Sequence, residues 1–196
     1  TGAIAPSSKG LSQCITSKIP ESVTPENPLR ILEVGAGTGA FTERILIKLG
    51  QKDELHIYEC NPKFTALLRE KYLSSQNGSS SKDERRIFLF EDYIQTLEKE
   101  DYFHFIICGL PFNNFQPEVT EQIFGILYRA LKNGGVLSFF EYFAIRKIKG
   151  IFCCEKENRR LKRIHHTLKR IRVPFEVEKK IIWRNIPPAV VWHLKK

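Results

Sequence analysis

The sequence has no methionine, and only 2 of its 196 residues are tryptophan. With no Met at position 1, the chain is expected to be a piece of a longer protein with an upstream segment, and its first residues do not read as a signal peptide. No run of about 18 uncharged apolar residues occurs, which excludes a helical membrane span within it. Cysteine is sparse: Cys14, Cys60, Cys108, Cys153 and Cys154. Their odd number and the lack of a C-x-x-C pair argue against a disulfide framework and a zinc ribbon. A reducing, cytoplasmic setting is therefore expected, and no metal. Apolar residues make up 42% and charged residues 27%, enough to build a core at this length, so composition argues against disorder.

Charge is present but unevenly placed. Residues 1–145 hold 15 basic and 18 acidic side chains, whereas residues 146–196 hold 16 basic and only 4 acidic ones. The whole net charge of +9 thus comes from the last quarter of the chain. Such asymmetry points to a polyanionic partner, either nucleic acid or an anionic membrane surface. A solvated basic face that serves solubility is the competing reading.

Hydrophobic patterning predicts strands over 30–34, 55–58, 87–90, 103–108 and 136–140. Between them, helical spacing predicts helices over 41–49, closed by Gly50, and over 117–131, closed by Asn133, Gly134 and Gly135. Asn61 and Pro62 supply a cap and a first-turn proline for a third helix. Residues 74–81 read as a Ser/Gly-rich loop. Strands alternating with helices imply an α/β fold with a parallel sheet covered on both faces. The tail reads differently. Leu161, Ile164, Leu168 and Ile171 mark one face of a helix whose other positions carry Arg159, Arg160, Lys162, Arg163, Lys169 and Arg170. Two closing strands, 175–183 and 189–194, return through Asn185, Ile186, Pro187 and Pro188.

The run Glu33-Val34-Gly35-Ala36-Gly37-Thr38-Gly39 leaves a strand and enters a helix. Its G-x-G-x-G spacing differs from the G-x-G-x-x-G of dinucleotide enzymes. Glycines there let a ligand approach the backbone, and a carboxylate near the strand end suits an ammonium or hydroxyls better than a pyrophosphate. Glu59 ends the second strand, where a carboxylate can accept two ribose hydroxyls. Asp92 follows the third strand and is expected to accept from an adenine amine. S-adenosylmethionine offers this combination of groups. The candidate cofactor residues are Glu33, Gly35, Ala36, Gly37, Gly39, Glu59, Cys60, Asp92 and Tyr93.

Leu32 to Thr42, LEVGAGTGAFT, with Glu59 and Asp92, resembles class I S-adenosylmethionine-dependent methyltransferases. That resemblance implies a Rossmann-like fold with a seven-stranded, mostly parallel sheet and helices on both faces. It also implies one methyltransferase domain over 1–196: a lead-in over 1–29, a cofactor-binding core over 30–145, and a basic helix with a terminal strand pair over 146–196. Three further segments are similar to bacterial phospholipid N-methyltransferases: Gly2 to Ser8, Gly109-Leu110-Pro111-Phe112-Asn113-Asn114-Phe115, and Trp183-Arg184-Asn185-Ile186-Pro187-Pro188-Ala189. Ribosomal RNA adenine dimethyltransferases share the first motif but place an asparagine where Gly109 stands. They also carry a further helical domain, for which the residues after Phe143 leave little room.

The resemblance implies N-methylation of a phospholipid's ethanolamine by a peripheral enzyme on the inner face of the membrane. The alternatives are an rRNA adenine N6-methyltransferase and a cofactor-binding protein without catalysis. A primary amine has an unperturbed pKa of about 10 and arrives protonated. Backbone carbonyls of the turn at Gly109, Leu110, Pro111 and Phe112 are expected to accept from it, and the Phe112 ring to pack on the methylated head. Phe115, Phe143 and Trp183 are further aromatic candidates. Glu141 and Tyr142 lie just beyond the fifth strand, at the ligand-binding edge of such sheets. Tyr142, Arg159, Arg160, Arg163, His165 and His166 are the candidates for contact with substrate or membrane.

Overall fold

A computed structural model describes residues 8–20, 27–73, 86–142 and 155–196. Residues 1–7 of the N-terminal motif, the 74–81 loop, Phe143 and Cys153–Cys154 lie outside the described residues.

Seven strands form one sheet in the order β3-β2-β1-β4-β5-β7-β6. The first five are β1 (Arg30–Val34), β2 (Glu54–Tyr58), β3 (Arg86–Phe90), β4 (Phe103–Cys108) and β5 (Leu131–Tyr142), and they pair in parallel. β7 (Ala189–Lys195) runs antiparallel between β5 and β6 (Glu176–Ile182). This is the expected class I methyltransferase arrangement. Chain order reverses between β1 and β4, so a crevice opens beyond their carboxyl ends.

Two cores sandwich the sheet. On one face, α1 (Lys9–Ile15), α2 (Ala40–Lys48) and α3 (Pro62–Tyr72) bury Leu11, Ile15, Phe41, Ile45 and Leu68 against Ile31, Leu55, Ile57, Ile107 and Val191. On the other, α4 (Pro117–Ala130) and α5 (Glu155–Arg172) bury Ile123, Phe124, Leu127, Ile164 and Leu168 against Leu32, Ile106, Leu137, Phe139 and Trp192. The periodicity of the tail helix is thus a packing face, with Leu161, Ile164 and Leu168 buried. Asn61 caps α3 through its side chain, which accepts from the Lys63 amide at 3.0 Å.

Two expectations change, and the lead-in holds an element that the patterning did not mark. The lead-in contains a helix: Ser8 caps α1 by accepting from the Leu11 amide at 3.2 Å, and Leu11 and Ile15 are fully buried. α2 ends at Lys48, because Leu49 is already extended, rather than at Gly50. Asn133, Gly134 and Gly135 do not stop α4. The helix ends at Ala130, Leu131 is extended and begins β5, and the ladder shifts register between Phe103 and Phe105. Gly134, at φ +79°, takes a conformation that suits a glycine within this irregular ladder.

Leu11→Ala should cost about 2–5 kcal/mol in urea unfolding, the scale for truncating a buried leucine. A loss under about 1 kcal/mol, a typical surface value, would place α1 outside the cooperative core.

Candidate active site

The glycine motif turns directly beyond β1. Gly35, Gly37 and Gly39 all have positive φ, and the Gly35 amide donates to the Tyr58 carbonyl at 2.8 Å. A Cβ on Gly37 would meet no atom within 4 Å, so this stretch of backbone is bare and open to a ligand. Glu59 braces it: Oε2 accepts from the Gly37 amide at 2.8 Å and Oε1 from the Asn61 amide at 2.9 Å. An ionised carboxylate has about four acceptor positions, which leaves room for ligand hydroxyls as well.

Glu33 is fully buried. Its Oε2 accepts from the Thr42 hydroxyl at 2.7 Å, while Oε1 has no hydrogen-bond partner among the described residues. Burial pushes its pKa up to about 8, against the lowering effect of the Thr42 hydrogen bonds. An orphaned buried carboxylate oxygen is costly, and a ligand ammonium or hydroxyl would supply the missing donor. Thr42 was not singled out by sequence reasoning, although it lies within the glycine motif's run.

The other cofactor candidates line the same edge. Cys60 is exposed beside Glu59. Asp92 and Tyr93 are exposed on the loop after β3, where Asp92 Oδ1 accepts from the Tyr93 amide at 2.7 Å. Ala36 is buried within the glycine turn. The Tyr72 hydroxyl donates to the Gly39 carbonyl at 3.2 Å, a further brace that its place on α3 did not announce.

Beyond β4, the Gly109 amide donates to the Val34 carbonyl at 2.7 Å. A Cβ at Gly109 would sit 2.6 Å from the Gly35 carbonyl oxygen, so the two strand ends touch and leave no space for a side chain. Leu110 lies against Gly35, 2.8 Å from where its Cβ would be. The Leu110, Pro111 and Phe112 carbonyls accept from the amides of Phe112, Asn114 and Phe115. Arg160 Nη1 and Nη2 donate to the Phe115 and Asn113 carbonyls, both at 2.8 Å. Each of the Leu110, Pro111 and Phe112 carbonyls thus has one acceptor position taken up in holding the turn, and its second lone pair remains for a further donor. The expectation for Phe112 also changes: the ring is buried, with Phe124 and Phe139 centroids at 4.9 and 6.0 Å, and is committed to the core.

Alongside this turn is a narrow recess lined by Pro111, Phe112, Asn113, Asn114, Phe140, Glu141 and Tyr142. Glu141 and Tyr142 belong to β5 itself, which runs two residues further than the expected strand. Tyr142 is buried edge-on to Phe140, at 5.1 Å.

The basic helix is partly neutralised within the fold. Besides Arg160, Arg163 pairs with Glu118 at 2.7 Å, and Arg170 with Glu121. The expected six-residue basic patch is thus smaller than its charge count, because α4 supplies carboxylates along the facing side. Arg159, Lys162, His166 and Lys169 are exposed, and His165 Nδ1 lies 4.0 Å from Glu141 Oε2. Trp183 is exposed and away from the core. Burial raises the Cys108 thiol to about 12, which removes it as a nucleophile.

A doubly covered sheet with a glycine turn at its switch point, braced by Glu59 and with the buried Glu33 at the strand end below it, defines a class I methyltransferase-like protein. Residues 31–135 match the family described as "Methyltransferase domain", more than half of the chain, and the protein belongs to that family. An ornithine lipid N-methyltransferase of Singulisphaera acidiphila is 28% identical over 138 residues, which make up 69% of this chain and 67% of the relative. A SAM dependent methyltransferase of Aquifex aeolicus has a similar structure, with TM-score 0.63, 11% identity, and coverage of 93% of this chain and 88% of that one. TYW2 of Pyrococcus horikoshii, in complex with MeSAdo, gives TM-score 0.58 and 15% identity over 94% of this chain and 60% of that one. The protein is a methyltransferase whose cofactor is S-adenosylmethionine, and that cofactor, when bound, supplies an electrophilic methyl group. The unpartnered Glu33 oxygen, the bare Gly37 backbone and the remaining acceptor positions of Glu59 fit its amino acid and ribose parts.

The folded state keeps the Glu33 proton up to about pH 8, whereas an ordinary glutamate releases it at about 4.5. Between these values the folded form holds the extra proton, so stability falls as pH rises through this window and levels off above it. Glu33→Gln should abolish that part of the pH dependence in thermal melts without cofactor, and weaken S-adenosylmethionine binding. Unchanged melting profiles and affinity would remove Glu33 from the site. Gly109→Ala should cost about 1–3 kcal/mol or more in denaturant unfolding, as expected for overpacking against backbone. Wild-type stability would show that the strand ends can part.

Proposed function

We propose that the protein methylates the primary amine of a lipid headgroup, the ethanolamine of a phospholipid in the first instance, while docked on an anionic membrane surface. The observation that carries this reading is the contact between Gly109 and Gly35. Adenine dimethyltransferases use an asparagine side chain where Gly109 stands, and here a Cβ would lie 2.6 Å from a backbone oxygen. The site thus lacks the side-chain acceptor that holds a planar exocyclic amine, and a flexible aliphatic amine needs no such group. The similarity to an ornithine lipid N-methyltransferase supports the same substrate chemistry. The exposed Arg159, Lys162, His166 and Lys169 favour a peripheral position, since each basic side chain near an anionic leaflet contributes roughly 1 kcal/mol. Among the described residues no helix is long and apolar enough to cross a membrane.

With radiolabelled methyl donor, vesicles containing phosphatidylethanolamine or ornithine lipid should take up label, and undermethylated small ribosomal subunits should not. Label in phosphatidylethanolamine supports the phospholipid assignment. Label in ornithine lipid alone keeps the lipid amine and replaces the headgroup. Label in RNA alone overturns the reading.

A further inference from the structure

We propose that Glu141 is the specificity-determining carboxylate of the acceptor pocket, and that it receives the ammonium form of an aliphatic amine. The inference rests on the lipid-amine reading above and names the group that would select the amine.

Among the described residues, Glu141 is the only charged one lining the recess beside the 109–115 turn. The other lining groups are proline, two asparagines and three aromatic residues. The β5 ladder sets Glu141 opposite Val190, one residue before the strand's carboxyl end. Its side chain is only 15% exposed. A carboxylate so far removed from water, in a mostly uncharged wall, gains strongly from a cationic partner. Its ionic neighbour in the structure is His165 Nδ1 at 4.0 Å, on a side chain that is 43% exposed. That separation exceeds a hydrogen bond and leaves the carboxylate able to take a direct donor.

The other carboxylates near the crevice have different work. Glu33 is buried against Thr42, and Glu59 braces the glycine turn. The carbonyls of the 109–115 turn already accept from its own amides and from Arg160, and what acceptor capacity they keep is uncharged. Glu141 is thus the charged acceptor on the substrate side of the crevice. The recess adjoins the glycine turn through a short chain of contacts. Pro111 lines the recess, and Gly109, two residues earlier in the same turn, donates to the Val34 carbonyl at 2.7 Å and lies against Gly35. Phe140 and Tyr142 flank Glu141 in the strand and are buried in the core on the opposite face of the sheet, so they hold β5 in place while Glu141 faces α5. Before each transfer the bound ammonium gives up a proton, which the carboxylate can accept and pass to water, and the free amine attacks. The methylated product is again a cation, so one carboxylate serves each successive acceptor.

The test is binding, measured by calorimetry without methyl donor. The probes are dihexanoyl phosphatidylethanolamine, dihexanoyl phosphatidylglycerol as the amine-free control, and O-phosphoethanolamine as the tail-free head. Wild type should bind an amine probe more tightly than the glycerol lipid, and the amine probe it binds names the source as lipid or free headgroup. Glu141→Gln should weaken amine binding about tenfold or more, about 1.4 kcal/mol by the affinity relation. The same variant should leave S-adenosylmethionine affinity and glycerol-lipid affinity unchanged, which also certifies its fold. Glu141→Asp keeps the charge and should retain amine selectivity, giving a second variant should the first fail to fold. Wild-type amine affinity in Glu141→Gln, or lost selectivity in a folded Glu141→Asp, overturns the proposal. Wild type that fails to prefer the amine probes over the glycerol lipid overturns the lipid-amine reading, and this inference with it.

Discussion

The ends of β1 and β4 touch through backbone, and the site is arranged around that contact. Gly109 donates to the Val34 carbonyl, and its missing Cβ leaves room for the Gly35 oxygen. Any larger residue would push the strands apart or redirect the 109–115 turn. The contact sets two directions at once. It sends the glycine turn toward α2 with bare backbone at Gly37, and it sends Leu110 across Gly35 toward the recess by β5. Cofactor and acceptor sides therefore meet where two glycines pack against each other. Conformational freedom at Gly35 and absence of bulk at Gly109 are distinct requirements, met by the same residue type.

Carboxylates divide the work on either side of that contact by how well each is satisfied. Glu59 accepts from two backbone amides and so shapes the turn. Glu33 has one oxygen satisfied and one orphaned, and burial raises its pKa to about 8. An orphaned oxygen lowers the stability of the ligand-free protein and stores affinity for a donor. The N-terminal motif meets the C-terminal one at the same sheet edge, where the Ser8 amide donates to Asn185 Oδ1 at 3.2 Å and Asn185 is buried. These residues are 177 apart in sequence, so the lead-in helix and the β6–β7 connection fix each other.

Much of the fold was legible because buried parallel strands are short apolar runs, and glycines, Asn61 and Pro62 punctuate them. The misreadings have physical causes. α1 has only seven residues, with few apolar positions to show a period, and its helix is held by burial of Leu11 and Ile15 and by the Ser8 cap. Asn133-Gly134-Gly135 reads equally as a helix stop or a strand irregularity, since both use glycine at positive φ. The tertiary pairing of Phe103 with Leu131 decides for the strand. On the cofactor side, Glu33, the glycines and Glu59 were legible because strand ends and turns are local in sequence. Thr42 and Tyr72 were not, since their roles depend on where two helices dock.

The substrate side is harder to read for the same reason carried further. Arg160 reaches the carbonyls of Asn113 and Phe115 from 47 and 45 residues away. Its sequence context, a run of basic residues, suggested only a surface. A charge count gives the sum but not the pairing, and Arg163 and Arg170, both exposed, pair with Glu118 and Glu121 of α4. The tail helix thus props the 109–115 turn from behind as well as carrying positive charge. A displacement of α5 would be felt at the 109–115 turn through Arg160, and at Glu141 through His165, the two places where this helix reaches the recess. The motif at Gly35 is written in one stretch of chain, whereas the proposed acceptor side draws on β4, β5 and, through Arg160 and His165, on α5. Local sequence therefore identifies the methyl donor far more readily than the group that receives the methyl.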